Sequence, residues 1–424
     1  MNENLLQFIW QFRYFAQAFL YLTSGDKIQI IRTGEINTNQ GPDFIAGEIM
    51  INNTRWVGNI ELHVNASDWY KHKHNKDERY ERIILHVVWN DDQPVKDTVG
   101  NQLPTLVLQD KVASILLERY NVLMNKQAQL PCTPWLDAFD ELVWSSWKER
   151  LVVERLTKRA EQIFIKLKQF KGDWESICWL QIARVFGGKV NASSFESVMQ
   201  SISLVILKRH RLDNLQLEAL LMGQAGFLNI KMEEPYSLIL QKEYSFLRKK
   251  YNLQPLQQQP QFLRMRPASF PTVRFAQLAV FFQQQPQLMQ QIKSIESVNN
   301  FYLLFSKTAT AYWDTHYRLG KVSGFQKKEI GKQLKNNLLI NAIAPLLFAY
   351  GLYHQNSLYQ ERAFELLYQL PAEQNQLLKI WESISVKQNA AFHTQALLEL
   401  KQYYCDKKAC LNCTIGNGIL KKRV

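Results

Sequence analysis

No run of the 424 residues approaches the roughly 18 uninterrupted apolar residues that a membrane-crossing helix requires, so no span is expected. The opening, Asn2-Glu3 followed by LLQFIWQFRYF, lacks the basic start and cleavage site of a secretory leader, and a cytoplasmic location is the expectation. Cysteine is scarce, five in all, with three of them between Cys405 and Cys413. That excludes the disulfide framework of a small secreted domain and suits metal ligation in a reducing compartment. No repeat of fixed period runs through the chain, which argues against a repeat architecture.

Apolar and charged residues, in contrast, are present in ordinary globular proportions, at 46% and 21%. Such a chain folds, and at this length it divides into two or three units. Fifty-one Lys and Arg against 38 Asp and Glu leave a net charge of +13. An excess of this size concentrates polyanions near the surface and makes nucleic acid the favoured partner, a plain solvated basic surface being the alternative.

The hydrophobic period changes along the chain. Leu5, Leu6, Ile9, Trp10, Phe12, Phe15 and Phe19 predict an opening helix. Between Lys27 and Asn90, KIQIIRTG, FIAGEIMIN, RWVGNIELHV and RIILHVVWN read as strands separated by turns such as Gly41-Pro42 and Asn52-Asn53, and LPTLVLQD adds a fifth. From Trp144 to Phe170 apolar residues recur at helical spacing, and further helices are expected at 174–186, 194–208, 213–223, 235–250, 272–283, 286–305, 326–350, 357–370, 373–384 and 389–404. The expected fold class is α+β: a small N-terminal domain (1–110) with a mixed sheet, a large all-α region (111–392, subdivided near 254–265) and a cysteine-bearing segment (393–424).

Chemistry concentrates in the sheet. In RWVGNIELHV the strand period puts Ile60, Leu62 and Val64 on one face and Glu61 with His63 on the other. If Asn52-Asn53 turns the preceding strand back, Asp43 falls opposite residues 61–63. Two nearby carboxylates repel unless a cation lies between them, and oxygen ligands favour Mg²⁺ or Mn²⁺. His63 is then placed to position or deprotonate a water. His86 lies in an apolar strand and reads as a hydrogen-bonded core histidine. Trp56, Trp69 and Trp89 read as core or rim aromatics.

GPD, a hairpin and I-E-L-H resemble the PD-(D/E)XK nuclease pattern, and the element order resembles that superfamily's α-β-β-β-α-β core. The resemblance covers residues 1–110. It implies that Asp43 and Glu61 hold a metal ion and that His63 takes the place of the family's lysine, without that residue's fixed positive charge. Glu3 and Glu35 are candidates for the superfamily's additional upstream acid. GPDF, W-x-G-x-(I/V)-E-L-H, RPASFPTVR and the cysteine-rich end also resemble, over the whole length, a bacterial family of unknown function.

Nucleic-acid contacts are expected from His72, His74, Arg264, Arg266 and Arg274, the arginines framing two prolines. Cys405, Cys410 and Cys413, spaced C-x4-C-x2-C, suit a structural zinc ion or an iron–sulfur cluster, with His393 or Cys132 available as a fourth ligand. The expected function is a metal-dependent phosphodiesterase (nuclease) acting on DNA or RNA. The alternatives are a catalytically inactive nucleic-acid-binding or scaffold protein and a zinc-dependent hydrolase using His63, His72, His74 or His86.

Overall fold

Asn2 accepts the Leu5 N–H at 2.9 Å and starts α1 (Glu3–Gln11), whose Leu5, Leu6, Phe8, Ile9 and Trp10 are buried. The helix packs on the sheet that follows, against its longest strand. That sheet contains β1 (Ile28–Arg32), β2 (Glu35–Ile36), β3 (Phe44–Ile51), β4 (Thr54–Asn65), β5 (Ile83–Asn90) and β6 (Thr105–Val107), in the order β1-β3-β4-β5-β6 with β2 also paired to β3. The computed structural model describes residues 1–125, 127, 129–257, 259–263, 265–285, 287–384 and 386–421.

Pairing directions follow from the connections. Ile51 pairs with Thr54 across a two-residue turn in which Asn52 takes φ +52°, so β3 and β4 form a tight antiparallel hairpin. β4 and β5 are parallel and need a crossover, supplied by residues 66–82 with α2 (Asp68–Lys71) and two 3₁₀ turns, His74–Lys76 and Glu78–Tyr80. Under this crossover lies a cluster of buried residues that includes Trp69, Tyr80, Ile83, Val88, Val95 and Leu103.

The protein is α+β, as the periodicity predicts, and it forms two compact units: Met1–Val143 with Gln402–Val424, and Trp144–Lys401. The first unit extends past β6 through α3 (Ser114–Leu123) and takes in the C-terminal helix Thr414–Lys421, which buries Ile415, Ile419 and Leu420. Tyr14 Oη donates to Asn417 Oδ1 at 3.1 Å, and Arg119 donates to the Ile419 carbonyl at 3.2 Å. A short amphipathic helix cannot bury its apolar face alone, so the end of the chain completes the unit that the beginning starts.

In the second unit, Trp174–Phe186 and Ser357–Gln369 lie where the periodicity places helices. The expected helix at 286–305 is two, Leu288–Ser294 and Val298–Leu304, and the described residues of the largely helical unit include a small ladder, His316–Arg318 with Lys321–Val322. A π turn, Leu339–Ile343, leads into the helix Ala344–Tyr353. Pro345 has no N–H to offer the Ile340 carbonyl five residues back, and Arg159 donates to that carbonyl at 3.4 Å instead. Among the described residues no helix is long and apolar enough to cross a membrane.

Candidate functional site

A single extra residue in β3 decides which side chains meet. The hairpin runs in register from Ile51↔Thr54 to Gly47↔Gly58, and the next pair is Phe44↔Ile60, three steps on β3 against two on β4. Continued without a break, the ladder would set Asp43 opposite Leu62, on the apolar face. The bulge sets it opposite Glu61 instead, because a one-residue slip exchanges the faces of a strand. Ala46 takes up the extra length with φ +54° and is exposed, while Gly34, at φ +88°, lies so close that a Cβ there would meet the Ile45 carbonyl oxygen at 2.8 Å.

Backbone and side chain then lock the acids together. The Asp43 N–H donates to Glu61 Oε2 at 2.9 Å, the Leu62 N–H donates to Asp43 Oδ2 at 3.2 Å, and Gln7 Nε2 on α1 donates to Asp43 Oδ1 at 2.8 Å. Burial, followed by the charge of Glu61, pushes the Asp43 carboxyl up to about 7, and burial, with a smaller push from Glu3, lifts Glu61 to about 8. Glu3, one of the two candidates for an upstream acid, therefore lies within electrostatic range of the pair. Glu35 is exposed on β2, opposite Ile45.

Four histidines continue the cluster. Glu61 and His86 are register partners on the parallel strands β4 and β5, so both belong to the face that carries His63. His63 Nδ1 lies 2.8 Å from His86 Nε2, and His63 Nε2 lies 3.2 Å from His72 Nδ1. Glu61 Oε1 is 3.3 Å from His74 Nε2 and 3.8 Å from His63 Nε2. One ring nitrogen from each of His63, His72 and His74 lies within 4.8 Å of the other two. Lys73, between His72 and His74, adopts a left-handed conformation at φ +61°, and the reversal turns both flanking imidazoles toward β4.

Packing holds these rings in place. His74 stacks on Tyr80 with centroids 3.8 Å apart, and Trp69 presents its indole to His63, His74 and His86. Burial first, then the neighbouring His86, His74 and His72, lowers His63 to about 2, and burial holds His86 at about 3. Neutral imidazoles keep lone pairs for a proton or a metal ion. His72 is exposed and marks the side open to solvent, whereas His74 is buried against Glu61 and Tyr80. The expectation of His74 as a surface contact to phosphate is corrected accordingly, because the reversal at Lys73 points it inward.

The remaining candidates lie elsewhere. Arg266 and Arg274 belong to the second unit, and Arg264 lies outside the described residues. Arg266 is exposed at the start of a 3₁₀ turn, Pro267–Ser269. Arg274, by contrast, donates to Gln277 Oε1 at 2.8 Å and to Ser269 Oγ at 3.3 Å, and burial lowers its pKa to about 10. It holds the start of the helix Pro271–Gln284, which corrects its expected role as a phosphate contact. Burial, then the nearby Cys413 and Cys410 thiols, pushes Cys132 up to about 12, so Cys132 is the upstream cysteine that joins the C-terminal ones in the first unit. Cys405 also lies in that unit, and His393 belongs to the second.

Gln7, Tyr80 and the inward turn of His74 carry no signal in the spacing of the sequence. They reach the cluster through the packing of α1 and the fold of the crossover.

A mixed sheet bearing an acid pair and a histidine cluster, joined in one chain to a helical unit, defines an α+β protein with a candidate metal centre. The chain belongs to the family described as Protein of unknown function (DUF2851), whose model matches residues 3–376. The match covers the sheet and the whole cluster and stops short of Cys405, Cys410 and Cys413. No curated protein and no solved structure matches the chain.

Proposed function

We propose that this protein is a metal-dependent phosphodiesterase acting on nucleic acid, in which Asp43 and Glu61 hold a divalent ion and His63 serves the attacking water. The observation that carries this reading is the bulge in β3, which costs backbone strain at Ala46 and brings Asp43 onto the face of Glu61 and His63. Bulges beside active sites re-aim side chains in this way. Antiparallel β1, β3 and β4 followed by parallel β5, with α2 and its flanking turns between β4 and β5, support the resemblance to the PD-(D/E)XK pattern.

The donor set fits Mg²⁺ or Mn²⁺, because two carboxyl groups whose charged forms are disfavoured by burial gain most from a cation between them. Such an ion, when bound, lowers the pKa of a coordinated water and stabilises charge on a phosphoryl oxygen. Gln7 and the Leu62 N–H orient Asp43, and the Asp43 N–H orients Glu61. His63 is neutral and backed by His86 through Nδ1, and its Nε2 lone pair orients the water by accepting a hydrogen bond. The net charge of +13 favours a polyanionic substrate, DNA or RNA.

Cleavage of single- and double-stranded DNA and RNA, measured with Mg²⁺ and with Mn²⁺, tests the proposal. Activity should require the ion and fall by about 10³-fold or more in Asp43→Asn and Glu61→Gln while the fold persists. Salt-sensitive binding without cleavage under any ion would instead identify an inactive nucleic-acid-binding protein.

A further inference from the structure

We propose that His63, His72 and His74 bind one divalent ion of the zinc class, with Glu61 beside them: Zn²⁺, or Co²⁺ and Fe²⁺ in its place. This goes beyond the proposed function, in which Asp43 and Glu61 hold the ion and the His63 Nε2 lone pair faces water: here that lone pair faces the ion. The binding does not rest on that reading.

The distances carry the inference. Tetrahedral ligands about 2.0–2.1 Å from a zinc ion stand about 3.3 Å from one another. His63 Nε2 to His72 Nδ1 is 3.2 Å, and Glu61 Oε1 flanks the site 3.3 Å from His74 Nε2 and 3.8 Å from His63 Nε2. The three imidazole nitrogens all fall within 4.8 Å of one another. Three imidazole nitrogens suit a borderline ion and leave a fourth position open, whereas Mg²⁺ prefers oxygen alone and keeps several of its waters.

The surroundings match a ligand shell as well. A ligating imidazole commonly uses its second nitrogen to bond a neighbour that fixes its orientation. His63 does so through Nδ1 to His86 Nε2 at 2.8 Å, and His86 is itself fully buried. Stacking on Tyr80 fixes the His74 ring. Because His72 is exposed while His63 and His74 are buried, an ion enters past His72 and keeps a solvent-facing position for water or substrate. A hydrogen-bonded chain from His86 through His63 to His72 is the competing account, and it requires no ion at all.

The test uses the full chain with Cys405, Cys410 and Cys413 replaced by serine, so that zinc at those thiols is not counted, alongside the unaltered protein. After removal of metal, Co²⁺ is added and its visible absorption recorded, and Zn²⁺ affinity is measured by competition with a chelating dye. One ion per chain is expected, with an intense tetrahedral cobalt spectrum and Zn²⁺ held far more tightly than Mg²⁺. His72→Ala, an exposed change that leaves the core alone, should weaken Zn²⁺ by more than the roughly 10–100-fold that follows loss of an outer-shell partner. His72→Cys, which restores a ligand, should recover much of the affinity.

A hydrogen-bonded chain without metal is the answer if no Co²⁺ spectrum develops, or if His72→Ala leaves Zn²⁺ affinity unchanged, and either result overturns the proposal. Zinc bound as described without phosphodiester cleavage sinks the proposed function and leaves this inference standing. Cleavage supported by Mg²⁺ in a chain that takes up no zinc-class ion does the reverse.

Discussion

Replacing Ala46 by valine and by glycine separates the two ways β3 can respond to strain. An alanine in the left-handed region costs about 1–2 kcal/mol, and a β-branched residue there costs about 1–2 kcal/mol more. Ala46 is exposed, so changes in packing contribute little. The strain could be escaped by sliding β3 into a regular ladder, which would move Asp43 to the face of Leu62. That slip forfeits three hydrogen bonds, from Gln7 and Leu62 to Asp43 and from Asp43 to Glu61, together roughly 2–4 kcal/mol. It also pushes a carboxyl group against apolar side chains, at a further cost of several kcal/mol. The slip therefore loses, and the bulge should persist in both variants. Ala46→Val should lower protection of β3 and β4 in hydrogen-exchange mass spectrometry by about 1–2 kcal/mol, whereas Ala46→Gly should leave it unchanged or raise it by up to about 1 kcal/mol. Deleting Ala46 makes the ladder regular, keeps Phe44 opposite Ile60, and should keep the acid pair together. A valine variant as well protected as the parent would refute the strain argument. One that is stable but carries Asp43 on the other face would refute the ordering of the costs.

Buried Glu218 in the second unit accepts from Asn214, Tyr236, Thr310 and Trp313, and Glu218→Ala should destabilise that unit by about 2–5 kcal/mol in urea unfolding, with Glu218→Gln costing less. Burial raises the Glu218 pKa despite these donors, so the folded state holds this proton more tightly than the unfolded chain. Its contribution is complete below the ordinary glutamate range and is lost as pH rises through the raised value. The pH dependence of stability should flatten by that component in Glu218→Gln. At β4, Gly58→Ala brings a Cβ to 2.7 Å from the Arg82 carbonyl oxygen, whereas Gly47→Ala crowds the Ile60 side chain, at 2.4 Å from Cδ1, and stands an ordinary 3.5 Å from the nearest backbone atom, the Gly58 oxygen. Backbone cannot step aside as a methyl can, so Gly58→Ala should be the costlier substitution by at least about 1 kcal/mol in thermal unfolding. Burial and neighbouring thiols hold Cys132 near 12 and Cys410 near 11. Iodoacetamide at pH 8 should modify Cys410 in the metal-free chain about 100-fold more slowly than an ordinary exposed thiol, as peptide mass spectrometry would show.

Period and turn chemistry alone determine much of this protein: the opening helix, the strands from Ile28 to Val107, the Asn52-Asn53 hairpin, the shared face of Glu61 and His63, and most helices of the second unit. Each is a local property, written in residues a few positions apart. Only the tertiary structure decides that Asp43 meets Glu61, because strand register counts residues and one extra residue at Ala46 leaves no mark in an apolar pattern. The same holds for the histidines. His72 and His74 look like a basic loop until Lys73 reverses the chain beside β4, and His86 looks like core until parallel pairing sets it beside Glu61. The return of the C-terminal helix to the first unit is decided at longer range still, by an apolar face that finds its partner some three hundred residues upstream, as the bond from Arg119 to Ile419 records. Local chemistry chooses the elements, and the geometry of a folded sheet, where one residue of slip exchanges inside for outside, chooses which of their side chains can act together.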